Sequence, residues 1–115
     1  MRPQGAITEL YNELRTQIAR VAIEIRKLGL VAPEDRSTLW LDQERARIEE
    51  DVRSTARRVD ALIRKGQMDP AAATSFINDT SYAYSAMRDL IEAARCYYVE
   101  RDSALAEVEG LLSLD

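Results

Sequence analysis

The sequence predicts an all-α fold, an antiparallel up-down-up three-helix bundle with a long third helix. Apolar residues recur every three or four positions and do not alternate with polar ones. Glycine and proline fall mainly at two places, Gly29 to Pro33 and Gly66 to Pro70, where helices would end and begin. At 115 residues, 46% of them apolar, the chain holds enough material for one modest core but not two. Residues 1–115 are therefore read as a single helical domain.

The first helix is expected over about residues 6–29. Ile7, Leu10, Leu14, Ile18, Val21, Ile25 and Leu28 form an unbroken stripe. Gly29 is expected to end it, and Pro33 to block its continuation. The second is expected over about 35–65, its stripe running Leu41, Ile48, Val52, Thr55 or Ala56, Val59 and Leu62. Arg45 stands where that pattern wants an apolar residue, and Trp40 is expected to close one end of the core. The third is expected over 70–112. Asp69 suits the N-cap, Pro70 the first helical position, and Gly66 the stop of the preceding helix. Forty residues of helix reach about 60 Å, so the third helix either overhangs its neighbours or bends near Asp102-Ser103. Connections this short require neighbouring helices to run antiparallel.

Twenty acidic against sixteen basic side chains, a net charge of −4, argue against a nucleic-acid binder. The arginines of the middle helix have acidic neighbours at helical distance, such as Glu49 before Arg53, and read as a solvated, ion-paired face. There is one cysteine, Cys96, and no histidine. A Cys-His nucleophile and histidine-containing metal sites are thereby excluded, and Cys96 reads as a small buried or half-buried filler. The paired acids Glu9 and Glu13, and the run Glu49, Glu50 and Asp51, lie off the apolar stripes. Neither metal nor cofactor is expected. Without a glycine-rich phosphate loop, a nucleophile elbow or an acid–base dyad, the chain is not expected to be an enzyme. No signal peptide and no apolar run of about 20 residues is present, so a cytoplasmic chain without membrane insertion is expected.

Two sets of residues stand out as candidates. Thr74, Ser75, Asn78, Asp79 and Tyr82 form a polar interruption near the start of the third helix. They suit buried hydrogen bonds between helices or a recognition site. Tyr84, Tyr97 and Tyr98 follow, and most of these tyrosines are expected to pack with their hydroxyls at the rim. Beyond Glu100 the stripe resumes at Leu105, Val108, Leu111, Leu112 and Leu114. The first two helices are too short to cover it. Tyr97, Tyr98, Leu105, Val108 and Leu112 are therefore expected to form an interface, in a homodimer or against another domain.

The run Gly66-Gln67-Met68-Asp69, then Ala73-Thr74-Ser75-Phe76-Ile77-Asn78-Asp79, Tyr82-Ala83 and Leu90-Ile91-Glu92-Ala93-Ala94 resembles a known pattern. It is similar to the C-terminal cytosolic helical domain of the bacterial sodium/phosphate cotransporter family, a domain itself similar to the phosphate-transport regulator PhoU. The resemblance covers about 30 residues. It implies a non-enzymatic regulatory domain for sodium-dependent phosphate transport, at the inner face of the membrane, with the transporter's membrane domain as a partner. Stand-alone PhoU proteins carry Glu/Asp-x-x-x-Asp motifs that hold a metal cluster. The nearest run here, Glu9-x-x-x-Glu13, lacks the terminal Asp, so no cluster is expected. The alternative function is a free-standing helical adaptor or oligomerisation module unrelated to phosphate.

Overall fold

The computed structural model describes residues 3–37 and 39–113. It contains three helices, α1 (Pro3–Leu30), α2 (Leu39–Arg64) and α3 (Pro70–Leu112), with a single 3-10 turn at Pro33–Asp35 between the first two. Cross-helix contacts give the topology. Tyr11 meets Asp79 and Gln17 meets Tyr84, so α1 and α3 run parallel. Arg45 meets Glu92 and Thr55 meets Tyr84, so α2 runs antiparallel to both. The result is the expected up-down-up three-helix bundle, all-α among the described residues. α3 makes the close backbone approach to both neighbours, so it is the central packing element.

The α2–α3 reversal has the predicted chemistry at every position. Gly66 adopts φ +69°, the amide of Gln67 donates to the carbonyl of Leu62 at 2.9 Å, and that of Gly66 to Ile63 at 3.0 Å. This pair of bonds is a Schellman stop. Met68, just beyond it, is buried. The Asp69 carboxylate then accepts from the amide of Ala72, and Pro70 opens α3.

The first reversal departs from expectation. Gly29 does not end α1, which runs to Leu30; the Tyr98 hydroxyl lies against the glycine, and a Cβ there would oblige that ring to shift. α2 begins at Leu39 rather than near 35, because Pro33 starts a separate 3-10 turn and Arg36 follows it in an extended conformation. The Ser37 hydroxyl accepts from the amide of Leu39, near the start of α2.

Two apolar clusters make up the core. Around the α2–α3 reversal, Leu10, Val59, Met68, Ala73 and Phe76 are buried, with Tyr11 edge-on to Phe76 at 4.9 Å between ring centroids. Through the middle and toward the α1–α2 turn, Leu14, Val21, Leu28, Leu41, Ile48, Tyr84, Met87 and Ile91 are buried, and Trp40 packs beside them. Two stripe assignments shift by one residue. Ile18 is largely exposed, and its neighbour Gln17 points in to bond Tyr84. On α2, Arg45 faces out and Glu44 occupies the inward position. Leu41, Glu44 and Ile48 follow the three-then-four spacing of a packed face.

At 43 residues against 28 and 26, α3 outruns its neighbours. It passes through Asp102-Ser103 without a break, so the chain overhangs rather than bends, and the molecule measures 73 × 17 × 17 Å. All residues from 103 to 113 are exposed.

Candidate interaction surface

α3 leaves the bundle at a well-built exit. Arg36 is nearly buried, its side chain 7% exposed, and donates to Asp102 Oδ1 at 2.6 Å. Its Nε donates to the Val31 carbonyl at 3.0 Å, and its guanidinium lies over the Tyr98 ring, 4.7 Å from the centroid. One side chain therefore ties the α1–α2 turn to α3 at the level where cover ends. Asp102, where a bend was the alternative to an overhang, is the anionic half of this tie. Tyr98 belongs to it as well, half-buried against the core. Tyr97 stands edge-on to Tyr98 at 5.0 Å and is exposed, with the Arg101 guanidinium 5.9 Å from its centroid.

Past the exit the buried seam of α3 continues in register. Met87, Ile91, Ala94, Tyr98, Arg101, Leu105, Val108 and Leu112 are spaced alternately by four and three, the period of packed helices. The first four pack inside the bundle, whereas Leu105, Val108 and Leu112 are exposed, Leu112 by 75%. Leu111 widens the stripe, and Leu114, also expected there, lies outside the described residues. Leu30 at the end of α1 and Val31 just after it, both exposed, add apolar surface at the same end. Burying each large side chain would contribute roughly 1.5–3 kcal/mol, so this face gains considerably from a partner.

The polar run near the α3 start does not converge into a site. Asp79 accepts from the Tyr11 hydroxyl at 2.6 Å, an interhelical tie that, with burial, holds the Tyr11 phenol above its ordinary pKa. The Thr74 hydroxyl bonds back to the Pro70 carbonyl. Ser75, Asn78 and Tyr82 face solvent, Tyr82 by 78%. Cys96 is exposed, contrary to the expected filler role, because the α3 faces toward α1 and α2 are taken by Ile91, Ala94 and Tyr98.

A polar layer that sequence reading missed crosses the bundle at mid-height. The buried Tyr84 hydroxyl donates to Gln17 Oε1 at 2.8 Å and lies 3.5 Å from Thr55 Oγ1; burial raises its pKa. Alongside it, Glu44, only 6% exposed, sits between Arg47 at 3.1 Å and Arg20 at 3.9 Å, and Arg20 also reaches Asp51 at 3.4 Å. Glu44 Oε2 and Arg20 Nε are buried without a hydrogen bond of their own. With the Arg58–Glu13 pair, these charges bridge the α1–α2 seam. The signal was Glu44 at the three-four spacing; its charge hid it.

Among the described residues no three acidic or cysteine side chains gather as metal ligands, and no helix is long and apolar enough to cross a membrane. No protein-family model, curated protein or solved structure matches the chain.

Proposed function

We propose that this chain is a non-enzymatic regulatory and interaction domain that serves sodium-dependent phosphate transport and engages its partner through the end of α3. The observation that carries the interaction half is the seam that runs on in register past Arg36 and Asp102 with Leu105, Val108 and Leu112 uncovered. A helical period maintained beyond the cover of its own fold is what a surface awaiting another helix requires. The phosphate half rests on the Gly66 to Ala94 run and its resemblance to the cytosolic cotransporter domain. The polar layer and the ion-paired flanks of α2 act as scaffold, joining α2 to α1 and α3.

The test is sodium-dependent phosphate uptake in the source cells, comparing wild type with Leu105→Glu/Leu112→Glu. Altered uptake or altered response to external phosphate, with the variant chain still folded, supports the reading. Unchanged uptake at equal protein level removes the phosphate half. The coding sequence around the chain gives a second check, since several apolar spans of about 20 residues upstream would accord with it. The adaptor alternative needs only the uncovered stripe, and recovery of a soluble partner with no transporter would favour it.

A further inference from the structure

The uncovered end of α3 has a charge pattern as well as an apolar face, and together they specify a partner. Residues 103–113 contain two glutamates, Glu107 and Glu109, and no cation. With 3.6 residues per turn, these two fall on either side of the face formed by Leu105, Val108, Leu111 and Leu112. Glu34 and Asp35 in the turn below, and Glu100 one turn before the stripe, are acidic too. None of these five acids has an ion pair among the described residues. Along the covered part of the bundle many acids are matched, among them Glu13 by Arg58, Asp42 by Arg95, Glu50 by Arg53 and Arg57, and Asp51 by Arg20, although Glu9 and Asp89 are not. Near this end Arg36 is already engaged by Asp102 and Lys27 by Glu24, while Arg101 lies against Tyr97.

From the continuing seam and its unmatched acidic flanks we propose that the end of α3 is the seat of a cationic amphipathic helix contributed by a partner. Leucine-like residues at three-four spacing would extend the packing of Met87, Ile91 and Ala94 along Leu105, Val108 and Leu112. Lysine or arginine on its flanks would meet Glu107 and Glu109, with Glu34 and Asp35 adding attraction from the turn. A second copy fits less well. Two such faces brought together set glutamates beside glutamates, with no cation between 103 and 113 to offset them.

This inference rests on the interaction reading above and adds the chemistry of the partner. The test titrates the full chain with three labelled 18-residue peptides. One carries leucines at heptad spacing with lysine flanks, one the same leucines with glutamate flanks, and one the cationic composition scrambled. The cationic amphipathic peptide is expected to bind at least about tenfold tighter than either other. Leu105→Ala/Leu112→Ala should weaken it by about tenfold or more, and Glu107→Lys/Glu109→Lys should transfer preference to the glutamate peptide. If both amphipathic peptides bind alike and ignore the charge reversal, the cationic partner is wrong but the interaction reading stands. If neither binds and sedimentation shows a dimer that Leu105→Glu/Leu112→Glu dissociates, a second copy occupies the face and the proposal is overturned. If neither binds and the chain is monomeric, the interaction reading fails with it.

Discussion

Replacing Arg36 with alanine removes four interactions that converge where α3 leaves the bundle, the weakest a 3.5 Å bond to the Gly29 carbonyl. Lost with it are the charge-assisted bond to Asp102, the bond to the Val31 carbonyl and the stacking on Tyr98. Breaking a fully buried pair by deleting one partner costs about 3–5 kcal/mol. Here the arginine side chain is 7% exposed but the aspartate 22%, so water can solvate the orphaned carboxylate and the carbonyl near the surface. The expected loss is therefore smaller, about 2–3 kcal/mol. For a chain of this size that corresponds to a melting temperature about 8–12 °C lower. Thermal melts and urea titrations followed by circular dichroism would measure it. Arg36→Lys should recover less than half of the loss, since an ammonium cannot reach the carboxylate and carbonyl as a fork does or stack as a plane. Hydrogen exchange should quicken selectively around residues 98–112 as α3 loses its anchor. A loss below about 0.5 kcal/mol, the range of an ordinary surface pair, would refute the view that this residue holds the exit.

Three further outcomes are expected. Gly66→Ala forces a side chain into φ +69° and should destabilise by about 1 kcal/mol in urea unfolding. The double change Arg20→Met/Glu44→Leu replaces an incompletely bonded pair, buried at Glu44 and half-buried at Arg20, with packing atoms and should be neutral or stabilising. Arg20→Met alone, leaving Glu44 buried beside Arg47 only, should cost about 2 kcal/mol; a double variant worse than the single one would contradict this reading. Stability should also fall in alkali. Tyr11 is raised by its bond to Asp79 and then by burial, and Tyr84 chiefly by burial, so above the ordinary tyrosine value of about 10 the folded chain holds more protons than the unfolded one. The stabilisation is complete below that value and declines as pH rises through it, a fall in urea midpoint that Tyr11→Phe should lessen.

Helix ends defined by local chemistry were legible. Asp69, Pro70 and Gly66 act through their own backbone and the next few amides, so their residue types foretell their geometry. Gly29 misled because its reason is distant: it makes room for Tyr98 and does not stop the helix. The inward faces were read correctly over most of their length but slipped by one at Ile18 and at Arg45. A helix packed against two neighbours has room for an inward polar residue if that residue finds a partner across the core. Gln17 finds Tyr84, and Glu44 finds Arg20, with Arg47 on its own helix as a second partner. Among the candidate residues, Tyr98 lies half-buried against the core, a placement the sequence did not foretell because aromatic side chains suit cores and interfaces equally.

The amino-acid order alone determined three helices, their antiparallel connection and a third too long for the others, because periodicity, caps and length are properties of contiguous sequence. Only the tertiary structure decided that α3 stays straight through Asp102 and that Arg36, sixty-six residues away, anchors it there. Only the fold, likewise, showed which acids at that end remain unmatched. Those outcomes depend on charges brought together from separate helices. Pairing across such separations is set by how the backbones pack, which no local spacing records.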